Sequence, residues 1–181
     1  RTATPNDCLI AGPSGAGYVV PPLMPNLVAY LHETAYICQQ ADIHVITSYV
    51  ADPPRRVLRQ LARHHSDLVG YLCGYAVVSR APQVLISDIP IIANESPLVA
   101  EIALHAEELL PTIKKLLTQV SSTPRFVGIH LFAYRTTIAD IVNFVDQLDI
   151  PNLHVVRGDV FLTLAREAMR RQKNGSQSQH R

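Results

Sequence analysis

Short apolar runs alternate along the chain with segments of helical periodicity, and this alternation is the strongest constraint on the fold. The predicted strands are 8–11, 43–50, 68–73, 126–132 and 153–156, with a hairpin or edge strand over 83–93. The predicted helices are 26–40, 52–64, 97–120, 136–148 and 158–170. Strands that alternate with helices are typical of α/β layers and barrels with mostly parallel strands. Ligands of such folds bind at the carboxyl ends of the strands.

The composition is that of one globular domain without an obvious charged partner. The chain has 181 residues, of which 48% are hydrophobic, so it can bury a core. Its 16 basic and 15 acidic residues leave a net charge of +1, which gives no electrostatic footprint for nucleic acid. No apolar run approaches the roughly 20 residues of a membrane span. The 3 cysteines are far apart and form no Cys-x-x-Cys pair, so neither a disulfide framework nor a cysteine zinc site is indicated.

Both ends of the sequence carry expectations about its extent. The chain opens with Arg1 rather than Met and has no basic-then-apolar leader, so we expect a piece of a longer protein and predict no compartment. Residues 172–181 are polar and low in complexity, and we expect them to be disordered. The expected organisation is therefore a single domain over 1–171 followed by a tail.

A glycine-rich segment, residues 12–18, follows the first predicted strand, and we call it the glycine loop. It lacks the Lys-Ser/Thr pair of a phosphate-binding P-loop, and Val20 stands where a dinucleotide-binding loop has its third glycine. It also departs from the Gly-x-Ser-x-Gly nucleophile elbow, because Ala16 stands at the last glycine. A tight turn over the rim of the fold is one interpretation, and an esterase that uses Ser14 is a weaker alternative.

Within this segment Gly15, Gly17, Tyr18 and Pro21 match a family name pattern, with Val20 at its second tyrosine. The chain therefore resembles the GxGYxYP family, whose members are described as putative glycoside hydrolases. The resemblance implies a partial or distorted (β/α) barrel similar to those of carbohydrate-active enzymes. Weaker resemblances follow in the family's order at 74–75, 88–92, 127–130 and 155–161.

Glycoside hydrolysis usually needs two carboxyl groups, and Glu95 and Asp52 both follow predicted strands. Both residues have a structural alternative: Asp52 fits a helix N-cap, and Glu95 fits a polar loop that leads to a helix. The alternative is stronger for Asp52, so Glu95 is the catalytic candidate. His130 lies near the end of its predicted strand and resembles the family's Val-His strand end. It is a candidate proton donor or hydroxyl ligand, although a hydrogen-bonded core histidine is the common alternative. Family members carry an aspartate-rich strand end upstream of the glycine loop, so we expect the second carboxylate to lie outside this chain.

Tyrosines at predicted strand ends suggest a surface for a sugar, because an aromatic ring offers an apolar face and a polar tip. The candidate substrate-binding residues are Ser14, Gly15, Gly17, Tyr18, Tyr75 and Tyr134. No Trp occurs in the chain, although family members tend to carry one after the position of His130. The predicted function is that of a glycoside hydrolase-like domain, without cofactor or metal, that acts on or binds carbohydrate. The alternative is a non-catalytic carbohydrate-binding or interaction domain.

Overall fold

The structure, a computed structural model, describes residues 4–5, 7–12, 14–47, 54–73, 83–93, 106–118, 121, 123–129, 131 and 136–178. The strands described there are β1 (Ile10–Ala11), β2 (Val45–Thr47), β3 (Gly70–Cys73), β4 (Val84–Ile86) and β5 (Ile89–Ala93). The α-helices described there are α1 (Leu27–Ala41), α2 (Arg55–His64), α3 (Ala106–Thr118), α4 (Ile138–Asp146) and α5 (Gly158–Ser178). None of the described helices is long and apolar enough to cross a membrane.

The described strands form one sheet in the order β1-β2-β3-β5-β4. The strands β1, β2, β3 and β5 are parallel neighbours, and β4 pairs antiparallel with β5 at the outer edge. The predicted mostly parallel α/β fold is confirmed, and so is the hairpin predicted over 83–93. Because α1 and α2 connect neighbouring parallel strands, both helices begin at the carboxyl end of the sheet.

Helices cover both faces of the sheet, as expected for parallel strands with apolar residues at successive positions. On one face, Ile46, Tyr71 and Ile91 pack in a core that includes side chains of α1 and α2. On the other face, Val45 and Ile92 pack in a second core with side chains of α5. Side chains of adjacent strand residues point to opposite faces, so each strand contributes to both cores.

The helix α5 lies very close to β3, and a glycine makes this approach possible. A Cβ atom at Gly70 would lie 2.7 Å from both terminal methyl groups of Leu162 and 2.8 Å from its Cβ. On the same helix, the Arg166 guanidinium donates to the Val69 carbonyl at 2.5 Å. The buried Leu162 therefore fills the position that a side chain at 70 would take.

A third apolar core joins α3 to α4. Its buried residues are Leu109, Ile113, Phe144 and Leu148. A proline inside a helix removes a backbone donor and usually kinks or splits it, but α3 runs through Pro111 without a break. Pro111 is exposed, whereas Leu109 and Ile113 on either side are buried, and their packing holds the helix together across the proline.

Two predicted strands are not observed, and this is a correction to the sequence analysis. Within 126–132, the described residues contain only an isolated bridge at Gly128, and 153–157 contains no strand. Val127, Ile129 and Leu153 instead pack against the core between α3 and α4. An alternating apolar pattern records which side of an extended segment is buried, and here helices bury it rather than a neighbouring strand.

The helix α5 continues through Ser178 and so includes 172–178, part of the segment for which composition predicts disorder. Residues 172–175 are exposed along this extension. The division into a domain over 1–171 and a tail stays a prediction. By contrast, α4 agrees closely with its prediction, because Thr137 and Asp140 form a reciprocal capping box at its start.

Candidate functional site

The glycine loop leaves the carboxyl end of β1, the end at which parallel sheets bind ligands. Its backbone is tied to the neighbouring strand, because the Ser14 N–H donates to the carbonyl of Thr47 at the end of β2 at 2.5 Å. The chain then passes through a short 3-10 turn, Pro21–Leu23, and enters α1. The loop therefore lies across the ends of the first two strands, as the sequence analysis expected for a turn over the rim.

The first half of α1 contacts the loop from the other side. The helix is capped by Asn26, whose side chain accepts a hydrogen bond from the Ala29 N–H at 3.1 Å. One turn later, the Tyr30 hydroxyl donates to the Ser14 carbonyl. A further turn along, Thr34 Oγ1 accepts a hydrogen bond from the Ala16 N–H at 3.2 Å. Two side chains on one face of the helix thus bind the loop backbone on either side of Gly15.

Gly15 must be glycine for two structural reasons. Its φ is +102°, in the region that side chains other than glycine rarely adopt. A Cβ there would also lie 2.9 Å from Thr34 Oγ1 and 3.3 Å from Thr34 Cβ. Gly17 differs, since a Cβ at that position would meet only Val19 Cγ1 at 3.8 Å. The fold therefore explains the first glycine of the motif but not the second.

Within the glycine loop, Tyr18 is exposed to solvent and Ser14 is buried. Tyr18 is 63% exposed, so a large part of its ring faces solvent at the carboxyl end of the sheet. Ser14 is 3% exposed, and its backbone N–H and carbonyl are both bonded to the protein. A nucleophilic serine must meet its substrate, so this burial argues against Ser14 as an esterase nucleophile.

Three of the described carboxylates lie at the amino end of the sheet, away from the glycine loop. Asp7 precedes β1, and Asp42 precedes β2. Asp159 pairs in a bidentate manner with Arg157, at 2.7 and 2.8 Å, and this contact lowers the pKa of the carboxyl. The same guanidinium donates to the Pro5 carbonyl, which also precedes β1. These carboxylates lie at the end of the sheet opposite to the glycine loop, so they do not share a site with it.

Several predicted site residues lie outside the described residues, and their arrangement stays a prediction. These are the catalytic candidates and two substrate-binding tyrosines, Glu95, His130, Tyr75 and Tyr134. Among the residues that the structure does describe, no group of three His, Cys, Asp or Glu side chains is placed to hold a metal ion.

Two contacts of the site were missed from the sequence. Tyr30 and Thr34 were assigned only to the buried stripe of the helix, although both carry a polar group. Their partners lie 16 and 18 residues away in the loop, a separation that periodicity cannot reveal. A usable signal existed, because hydroxyls at i and i+4 share one face in the helix that comes next after the glycine loop.

A cavity of about 700 Å³ lies on the α5 face of the sheet, and its described lining comes from other parts of the chain. Side chains such as Leu72, Phe144 and Leu164 line it. Most of its walls belong to the segments on either side of α4 and to α5 itself. The described lining includes no residue of the glycine loop, so the cavity and the loop are separate features.

The fold and the loop together define an α/β domain with a mostly parallel sheet and a glycine-tyrosine turn at the carboxyl ends of its strands. The chain belongs to the GxGYxYP putative glycoside hydrolase C-terminal domain family, whose model matches residues 1–166. The resemblance seen in Gly15, Gly17 and Tyr18 is thereby confirmed for nearly the whole chain. No curated protein and no solved structure matches it.

Proposed function

We propose that this domain binds carbohydrate at the carboxyl ends of its strands and takes part in glycoside hydrolysis there. The observation that carries the proposal is the exposed ring of Tyr18 on a loop whose backbone is fixed on both sides. Membership of a family named for glycoside hydrolases supports carbohydrate as the ligand class.

The loop offers the two elements that sugar recognition requires. Tyr18 supplies a flat apolar face for the C–H side of a pyranose ring and a hydroxyl at its tip. Gly17 precedes it without a side chain, in a position that the protein itself leaves open. A ligand that approaches the backbone closely would explain this glycine, which the packing does not require.

For catalysis, we propose Glu95 as one carboxyl group and His130 as a proton donor or ligand of a substrate hydroxyl. Glycosidases place their two carboxyl groups roughly 5 to 9.5 Å apart, on either side of the bond that breaks. Asp7, Asp42 and Asp159 lie at the opposite end of the sheet, so they do not compete for this role. Tyr75 and Tyr134 are proposed as further aromatic contacts of the sugar.

The partial or distorted (β/α) barrel remains part of the proposal. Four parallel strands follow one another in chain order across the sheet, which is the order found in a barrel. The helix α5 covers the face opposite to α1 and α2, whereas a closed barrel fills that face with side chains of its own strands, so the proposal is a partial or distorted barrel. The site at the carboxyl ends of the strands is the same in either architecture.

The second candidate function is carbohydrate binding without catalysis. It is favoured by the position of three described carboxylates, Asp7, Asp42 and Asp159, which lie at the end of the sheet opposite to the glycine loop. The burial of Ser14 leaves an esterase as the weakest candidate.

The proposal is tested by screening the purified domain on a glycan array with two matched variants. Tyr18→Ala removes the proposed stacking ring, and Tyr36→Ala removes a tyrosine on α1 that is 54% exposed. We expect Tyr18→Ala to weaken binding about fivefold or more and Tyr36→Ala to leave it unchanged, because stacking on one ring contributes about 1 kcal/mol or more. Equal binding by the wild type and Tyr18→Ala, or no glycan bound by the wild type, would reject the proposed site.

Catalysis is then separated from binding with the glycan that the array identifies. Glu95→Gln removes the acid while keeping the shape of the side chain. Loss of sugar release with retained binding would support the catalytic role of Glu95. Unchanged sugar release would remove that role, and absence of hydrolysis by the wild type would favour the non-catalytic candidate.

A further inference from the structure

We infer that Tyr30 and Thr34 are positioning residues, which hold the glycine loop in the one conformation that projects Tyr18 from the rim. The inference rests on the proposed function, because it assigns the loop's shape to recognition of a sugar. It goes beyond that function by assigning roles to two residues of α1 that are not among the proposed sugar-binding or catalytic residues.

The first part of the argument is the number and direction of the contacts. Tyr30 donates to the Ser14 carbonyl, and Thr34 accepts from the Ala16 N–H, so the residues on both sides of Gly15 are bonded to α1. The Ser14 N–H is bonded to the carbonyl of Thr47, at the end of β2. Three consecutive loop residues are thereby fixed between a helix and a strand end.

The second part is steric. Thr34 is 0% exposed, and its side chain fills the space directly beside Gly15. Ser14 and Gly15 both have positive φ, at 76° and 102°. Such a backbone is costly for a serine and persists only where surrounding contacts require it. The hydroxyl of Thr34 accepts the hydrogen bond of the Ala16 N–H, and its methyl group occupies the space that a side chain at Gly15 would need.

The third part is that these hydrogen bonds do not depend on pH in the physiological range. The half-buried position of Tyr30 raises the pKa of its phenol above its usual value of 10. The hydroxyl therefore keeps its proton and stays a donor throughout the physiological range of pH. Thr34 does not titrate, so the contacts that shape the loop do not change with pH.

The last step links the contacts to Tyr18. The fixed backbone of residues 14–16 ends two positions before Tyr18, whose own ring is largely exposed. A ring on a short, fixed turn loses little conformational freedom when a sugar stacks on it. If the turn were loose, the same ring would have to be ordered during binding, and the affinity would fall.

The experiment separates the hydroxyl from the methyl group of Thr34. Thr34→Val keeps the shape and removes the hydrogen-bond acceptor, whereas Thr34→Ser keeps the acceptor and removes the methyl group. We expect amide exchange at Ala16 to become about fivefold to tenfold faster in Thr34→Val and to return towards the wild-type rate in Thr34→Ser. Urea unfolding of each variant reports whether the whole domain has been destabilised.

A second readout follows Tyr18 itself. In the wild type, the ring resonances of Tyr18 should form one sharp set, and Thr34→Val should shift or broaden them while the Tyr36 ring stays unchanged. Tyr30→Phe, which removes the bond to Ser14, should act in the same direction. With the glycan bound most tightly on the array, we expect about tenfold weaker binding by Thr34→Val and rescue by Thr34→Ser.

The outcomes distinguish the inference from the proposed function. Unchanged Ala16 exchange and Tyr18 resonances in Thr34→Val would overturn the inference, whatever the glycan result. A loosened loop with unchanged glycan binding would also overturn it. If the wild type binds no glycan, the proposed function fails, while the exchange and resonance measurements still decide whether Thr34 and Tyr30 position the loop.

Discussion

The backbone of the glycine loop and the imidazole of His65 lie at opposite ends of the sheet and differ in how their polar groups are bonded. At the carboxyl end, Ser14 and Ala16 have their backbone groups bonded to Thr47, Tyr30 and Thr34, so the loop there has a defined shape. At the amino end, the His65 imidazole is 1% exposed, and neither ring nitrogen makes a well-formed hydrogen bond within the described structure.

This difference shows which of the two buried regions is held in one conformation by hydrogen bonds. A buried polar group without a partner costs free energy of folding, whereas a satisfied network holds one conformation. At the proposed site, the backbone groups of Ser14 and Ala16 are bonded, although Thr47 Oγ1 beside the loop is buried without a hydrogen-bond partner among the described residues. At the other end, burial lowers the pKa of His65, and backbone contacts at Ile43 and His65 itself, together with the charge of Asp67, oppose that effect only in part.

The largest expected effect comes from Gly15→Ala, which changes the glycine loop at the carboxyl end of the sheet. We expect the free energy of unfolding to fall by about 3 kcal/mol, because positive φ and the crowded side chain of Thr34 both oppose a Cβ there. Gly17→Ala is the matched control and should change it by no more than about 1 kcal/mol. Urea unfolding measures both, and equal losses would contradict the distinction between the two glycines.

A smaller effect compares the two ends of α1. Asn26→Ala removes the cap at the carboxyl end of the sheet and should cost about 1 kcal/mol. Asp42 ends the helix at the amino end with a φ of 55°, so Asp42→Gly should raise the stability by about 0.5 kcal/mol, despite losing the contact with His44. Thermal unfolding tests the pair, and a loss of stability in Asp42→Gly would show that the His44 contact outweighs the backbone strain.

The smallest effect at neutral pH concerns His65, but it grows as the pH falls. Because the pKa of His65 is lowered in the folded protein, the unfolded chain binds a proton more readily, and stability is lost as the pH falls below about 6.5, the unperturbed value. His44 opposes protonation, and Asp67 favours it. His65→Leu should therefore lose less stability than the wild type between pH 7.5 and 5.

The control for this prediction is His154→Leu, at an exposed position. It makes the same histidine-to-leucine change at an exposed side chain and so controls for the change in residue type. Urea midpoints at several pH values measure all three proteins. If the wild type and His65→Leu lost stability equally as the pH falls, the buried imidazole of His65 would not be the source of the pH dependence.

Elements with local signals were predictable from the sequence. The stripe of α1, its cap at Asn26 and the β-branched run that contains β2 each depend on residues close together in the chain, and the structure has them at those positions. The hairpin formed by β4 and β5 was equally visible, since Asp88 and Pro90 interrupt its apolar run.

Elements that depend on distant partners were not predictable in the same way. The segments around Val127 and Leu153 carry strand-like patterns, but their partners are helices distant in sequence. In the candidate site, the sequence identified Gly15 and Tyr18 through the family motif, but it did not assign Thr34. Periodicity records the side that is buried and leaves open which atoms meet there.

The close contact between Gly70 and Leu162 has a consequence for the order in which the domain is completed. The strand β3 and the helix α5 are separated by more than eighty residues, so this face of the sheet stays bare on a growing polypeptide until the helix leaves the ribosome. Contacts between such distant segments carry a large loop-closure cost and form late. Ribosome-bound intermediates that end before α5 would expose Val45 and Ile92, and chaperones that bind apolar chains would find their target there.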